Sequence, residues 1–86
     1  DHKRAKELAS VLVTKSWVKE VAPTETNIVI FTLQNGLSEQ VFIEKMKQKN
    51  ILLSSMGQGK LRFVTHLDYR QVMHEYVLEV LEKFQF

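Results

Sequence analysis

A charged side chain stands inside one of the apolar segments of this 86-residue chain. The segment Lys60–His66 (Lys-Leu-Arg-Phe-Val-Thr-His) has the composition of a short β-strand, with Arg62 in its interior. Because burying an unpaired guanidinium is costly, Arg62 must be exposed or bound to an anion. A guanidinium binds a carboxylate or a phosphate through two parallel hydrogen bonds. Arg62 is therefore the candidate binding residue, and an ordinary surface arginine is the alternative.

The other side chains that can do chemistry form no recognisable site. The histidines are scattered and match no metal-pair spacing: His2, His66 and His74. His2 and His74 are predicted to lie at the surface. Ser54 and Ser55 lack an accompanying Asp–His arrangement, and Gly57-Gln58-Gly59 is typical of a turn rather than of a dinucleotide-binding loop. With no cysteine, disulfides and thiolate chemistry are excluded. No catalytic, cofactor-binding or metal-binding residue is predicted.

The hydrophobic periodicity predicts the elements that position Arg62. The predicted order is α-β-α-β-β-α: a helix over residues 2–15, a strand over 28–33, a helix over 38–49, a hairpin of strands over 51–54 and 61–65, and a helix from 68 to the end. This order predicts an α+β fold, with a small, mostly antiparallel three-stranded sheet and helices packed on one face. Pro23 marks the segment after the first helix as a connection, in which Trp17 can serve as a docking anchor for another domain.

Several local signals refine these elements. The apolar run over 28–33 predicts a strand covered on both faces, ended by Asn35-Gly36. Ser38 is the predicted N-cap of the second helix, and Asp68 with Gln71 forms a capping box for the third. Five aromatic residues are predicted in the core: Phe31, Phe42, Phe63, Tyr76 and Phe84.

Strand alternation separates two faces around Arg62. Leu61, Phe63 and Thr65 share one face, and Arg62, Val64 and His66 share the other. The helices should cover the apolar Leu61 face. We therefore expect the Arg62 face to look into solvent or towards another domain.

With these residues laid out, the chain resembles the C-terminal small domain of L-threonine aldolases, which are pyridoxal-phosphate (PLP) enzymes of the aspartate-aminotransferase fold type (fold type I). Four segments carry the resemblance in the family's order: Asp1–Ala9, Glu25–Phe31, Asn50–Ser54 and Arg62–Asp68. The last segment is the most specific, since it matches the family's Arg-x-Val-Thr-His-x-Asp signature. The helices are generic.

The resemblance implies a role for Arg62. In the family, the arginine of this signature binds the substrate α-carboxylate, and PLP is the electron sink for retro-aldol cleavage of L-threonine or L-allo-threonine to glycine and acetaldehyde. It implies structural roles around Arg62 for Thr26, Asn27, His66 and Asp68.

The family's PLP-binding lysine lies in a large domain, and no lysine here sits in a matching motif. The resemblance therefore makes residues 1–86 a single small domain whose partner is the large domain of the same chain. It implies PLP as the cofactor of the parent enzyme, which would be a homo-oligomer. The 86-residue chain alone is expected to bind PLP poorly and to be inactive.

Composition sets the wider bounds. A net charge of +2 and a strand without the glycine and aromatic pair of RNA-recognition modules predict no nucleic-acid partner. No segment is long and apolar enough to span a bilayer and no signal peptide is present, so no membrane partner and a cytoplasmic location are expected.

The first residues are already in helical register, so we expect a piece of a longer protein. The alternatives are the small domain of another fold type I PLP lyase or transferase, or a stand-alone α+β interaction module with a covered Arg62 face.

Overall fold

The protein has an α+β fold of three helices and one four-stranded antiparallel sheet, seen in a computed structural model that describes residues 2–23, 27–64 and 70–85. The elements are α1 (His2–Leu12), β1 (Val18–Val21), β2 (Ile28–Leu33), α2 (Glu39–Lys47), β3 (Ser54–Gly57), β4 (Lys60–Val64) and α3 (Gln71–Lys83). The predicted fold class is confirmed, and the helices lie on one face of the sheet.

The sheet has one strand more than the sequence predicted. Its order is β1-β2-β4-β3, and every neighbouring pair is antiparallel. The prediction of three strands was wrong because β1 was interpreted as a connection. Its sequence Val-Lys-Glu-Val does not alternate, and a register shift between Val18 and Glu20 breaks the two-residue period that identifies a strand.

The predicted hairpin is present, with different boundaries. The first strand is β3, over Ser54–Gly57, rather than residues 51–54. Gln58 (φ 56°) and Gly59 (φ 83°) form the two-residue turn, since both adopt the left-handed conformation that such turns require. Asn50 (φ 64°) adopts the left-handed conformation after α2, and the next residue, Ile51, is buried in the core.

The core lies between the helices and one face of the sheet. Along β2, Val29, Phe31 and Leu33 are buried and the alternate residues are only half-buried, so the predicted covering of both faces was wrong. Trp17 is also part of this core rather than an external anchor. Its indole packs against the rings of Phe42 and Phe84 in tilted and edge-to-face contacts, and its Nε1 donates a hydrogen bond to the carbonyl of Phe84 (3.3 Å).

Helices α1 and α3 run side by side in the same direction. Two contacts between them join residues 67 positions apart, Arg4 with Gln71 and Glu7 with His74. Lys15, just after the end of α1, keeps the same spacing in its contact with Glu82. The inner face of α3 carries His74, Val77 and Leu81. Tyr76, predicted in the core, is 45% exposed because it lies on the outer side of α3.

Among the described residues, no helix combines the length and the apolar character needed to cross a membrane.

Candidate functional site

Arg62 lies on the uncovered face of the sheet. Strand β4 is an interior strand, and Leu61 and Phe63 on either side of Arg62 point into the core. Strand alternation therefore directs Arg62 to the opposite face, where its side chain is exposed. The prediction that the apolar face is covered and the Arg62 face is open is confirmed at these three residues.

The two cross-strand neighbours of Arg62 carry no charge. Across the sheet, Arg62 pairs with Ile30 of β2 on one side and with Ser54 of β3 on the other. The carboxylate of Glu20 belongs to the next row, where Glu20 pairs with Thr32 at the edge strand β1. Within the described part of the chain, the side chain of Arg62 forms no hydrogen bond and no ion pair. Its guanidinium can therefore bind an anion from outside this part of the protein.

The fold brings together three segments that carry the family resemblance. Strands β2 and β4 overlap the segments 25–31 and 62–68 and are adjacent in the sheet, and Ser54, the last residue of the segment 50–54, begins β3 on the other side of β4. Asn27 lies half-buried just before β2, whose first residue, Ile28, pairs with Val64 at the end of β4. The predicted structural residues Thr26, His66 and Asp68 lie outside the described residues.

A carboxylate fixes the hairpin that holds β3 beside Arg62. Glu39, in the first turn of α2, accepts hydrogen bonds from the Ser55 hydroxyl and from the backbone N–H of Gly59 (2.6 Å). These bonds, led by that of Ser55, lower the pKa of the Glu39 carboxyl. The Ser55 hydroxyl is thus hydrogen-bonded to a carboxylate. Gly59 (φ 83°) lies in the turn, as predicted, whereas Gly57 (φ 83°) is the last residue of β3.

The predicted surface position of His74 was wrong. Its side chain is fully buried between α3 and α1, and its Nε2 lies 2.6 Å from Glu7 Oε1. The hydrogen bond to His74 lowers the pKa of Glu7 and outweighs the opposing effect of desolvation, and the charges of Lys3 and Arg4 act in the same direction. The sequence did contain a signal for this position, because His74 precedes Val77 by three residues and Leu81 by seven, which is the spacing of one helix face.

The Glu7–His74 contact makes the stability of the fold pH-dependent. Because the pKa of folded Glu7 lies below its ordinary value of 4.5, the contact stabilises the fold above that pH. This contribution is lost as the pH falls through the folded-state pKa. The variant Glu7→Gln keeps the shape and loses the charge, so its urea midpoint should lie below that of the natural chain at neutral pH and converge with it in acid.

Urea unfolding followed by Trp17 fluorescence across this pH range measures the effect. Glu20→Gln, at an exposed position on β1, is the matched control and should change the midpoint little at any pH. A difference between Glu7→Gln and the natural chain that stays constant from neutral pH into acid would contradict the linkage.

The residues present do not fit a complete PLP site. A lysine that forms a covalent bond with this cofactor is normally activated by burial or by a neighbouring cation. All lysines of this chain are exposed or half-buried at the surface. Within the described ranges, no group of three or more His, Asp or Glu side chains is placed to hold a metal ion.

A scan against models of known protein families and a search of curated proteins find no match to this chain. The family resemblance therefore rests on the sequence segments quoted above.

Proposed function

We propose that this chain is the C-terminal small domain of a PLP-dependent L-threonine aldolase, in which Arg62 binds the α-carboxylate of the substrate. The parent reaction is retro-aldol cleavage of L-threonine or L-allo-threonine to glycine and acetaldehyde. The observation that carries the proposal is the position of Arg62, exposed on the uncovered sheet face without a carboxylate beside it. The signature segment that begins at Arg62 supports the same role.

The chemistry of the site suits a carboxylate. The planar guanidinium can donate two parallel hydrogen bonds to the two oxygens of one carboxylate, which fixes the orientation of the bound amino acid. With the carboxylate held, the Cα–Cβ bond is oriented for cleavage, so Arg62 contributes positioning rather than bond breaking. A second domain covering this face would exclude water and strengthen the ion pair.

The proposal assigns the cofactor to another part of the enzyme. Because no lysine here has the surroundings of a covalent PLP site, the lysine and the phosphate-binding groups would come from the large domain. That domain is the partner proposed for the open face of the sheet. The half-buried aliphatic side chains of Ile28 and Ile30, which lie on this face beside the β4 residues, support such a contact.

The test is an activity assay on the full-length polypeptide that contains this sequence. Purified with PLP, it should release acetaldehyde and glycine from L-threonine or L-allo-threonine, whereas the 86-residue chain with added PLP should not. Failure of the PLP-loaded full-length polypeptide to cleave either amino acid would overturn the aldolase proposal. Turnover of other amino acids in its place would favour another fold type I PLP lyase or transferase.

A stand-alone interaction module remains the second candidate. Several apolar side chains are exposed, among them Leu52 (74%) and Val72 (72%). However, that candidate predicts a covered Arg62 face, and the exposure of Arg62 favours the aldolase domain. A full-length polypeptide no longer than the present chain would favour the module.

A further inference from the structure

The turn between β2 and α2 holds an asparagine directly before a glycine. Gln34 to Leu37 form a β-turn, closed by a hydrogen bond from the Leu37 N–H to the Gln34 carbonyl (3.2 Å). Gly36, at the third position, has φ 91°, which matches a type II turn, in which this position favours glycine. Asn35 occupies the second position, and its side chain is exposed.

The amide nitrogen of Gly36 and the side-chain carbon Cγ of Asn35, which can react with each other, are both accessible in this turn. The amide nitrogen of Gly36 makes no hydrogen bond within the described part of the chain. No atom beyond the neighbouring residues lies within 4 Å of the place where a Cβ of Gly36 would stand, so nothing crowds the approach. The exposed Asn35 side chain can therefore rotate until its Cγ meets the Gly36 nitrogen.

We propose that Asn35 is a site of spontaneous deamidation in the folded protein. The Gly36 nitrogen attacks Cγ of Asn35, a new N–C bond forms, and the C–N bond of the side-chain amide breaks. The departing NH₂ leaves as ammonia with the proton from the Gly36 amide, and a five-membered succinimide remains. Water then cleaves either of the two ring C–N bonds to the former amide nitrogen of Gly36, which yields aspartate or isoaspartate.

The same chain contains two internal controls. Asn27 and Asn50 are each followed by isoleucine, whose branched side chain hinders attack by the backbone nitrogen. The N–H of Ile51 also donates a hydrogen bond to the Met46 carbonyl (2.9 Å), so the nitrogen that would attack Asn50 is engaged. Accessibility therefore singles out Asn35 among the three asparagines.

The modification has a structural consequence because the turn is anchored on both sides. The Gln34 N–H donates to the Trp17 carbonyl (3.0 Å) and the Gln34 side chain to the Val18 carbonyl (3.1 Å), while Leu37 packs against the core. An isoaspartate adds one methylene to the backbone between these anchors. The isoaspartate form should therefore unfold at lower urea than the natural chain, whereas the variant Asn35→Asp, which adds only the charge, should not.

The test is incubation of the purified chain in mildly alkaline buffer, followed by peptide mapping with mass spectrometry. A mass gain of about 1 Da, from replacement of NH₂ by OH, should accumulate at Asn35 and not at Asn27 or Asn50. It should be slower in mildly acidic buffer and absent at this position in Asn35→Gln. Equal gains at all three asparagines, or none at Asn35, would overturn the proposal. The outcome is independent of the aldolase assay.

Discussion

Replacing Arg62 by lysine in the full-length polypeptide should lower kcat/KM for L-threonine roughly 5- to 150-fold. This factor corresponds to a loss of about 1–3 kcal/mol of transition-state stabilisation. Lysine keeps the positive charge but replaces the two-pronged donor with a single ammonium, so one of the two hydrogen bonds to the carboxylate is lost. The loss should appear mostly as a raised KM, because the interaction with the carboxylate already exists in the bound substrate. Steady-state kinetics with L-threonine measure both constants.

The matched control for this prediction is Arg4→Lys, which makes the same change on helix α1, in the layer on the other side of the sheet. It should leave kcat/KM close to that of the natural enzyme. Far-UV circular dichroism of both variants checks that the fold is intact. An Arg62→Lys enzyme with unchanged kcat/KM would rule out carboxylate binding by Arg62.

Truncation of Phe42 to alanine should destabilise the domain by about 3–5 kcal/mol. Phe42 is fully buried, and its ring centroid lies 5.1 Å from that of Trp17, 5.9 Å from that of Phe31 and 5.1 Å from that of Phe84. The change removes a large apolar side chain and three ring contacts at once. A domain of 86 residues has a typical unfolding free energy of only about 4–13 kcal/mol, so much of its stability would be lost.

Urea denaturation followed by circular dichroism measures this loss. Val41→Ala, at the neighbouring position of α2 that is 44% exposed, is the control and should cost far less. Phe42→Leu should fall between them, because leucine refills part of the cavity. If Phe42→Ala cost no more than Val41→Ala, the ring cluster would not be the centre of the core.

Local sequence signals predicted much of the fold. Ser38 accepts a hydrogen bond from the N–H of Val41 as the N-cap of α2, and Lys45 and Lys47 follow in its last turn, where cations suit the helix dipole. Strand β1 and the start of β3 were missed, because a short bulged strand and a two-residue turn leave too weak a periodic signal. Strand β1 is determined by its pairing with β2, and the bounds of β3 by its register with β4 across the hairpin.

The candidate site, like the fold, could be predicted from the sequence only in part. The alternation Leu61-Arg62-Phe63 was enough to predict that Arg62 leaves the core, since neighbouring side chains of a strand point to opposite faces. The identity of its cross-strand neighbours, Ile30 and Ser54, depends on strand order and register, which no local pattern of the sequence determines.

The sequence by itself determined the α+β class, the single-sided helical layer and the exposure of Arg62, because each follows from periodicity within one segment. Only the tertiary structure decided that Trp17 and His74 are buried and that β1 completes the sheet. It also decided that some of the apolar side chains of α3 stay exposed. These features depend on which elements meet. Buried His74 contacts Glu7 of another helix at 2.6 Å, and that pairing arises only when α1 and α3 pack in parallel.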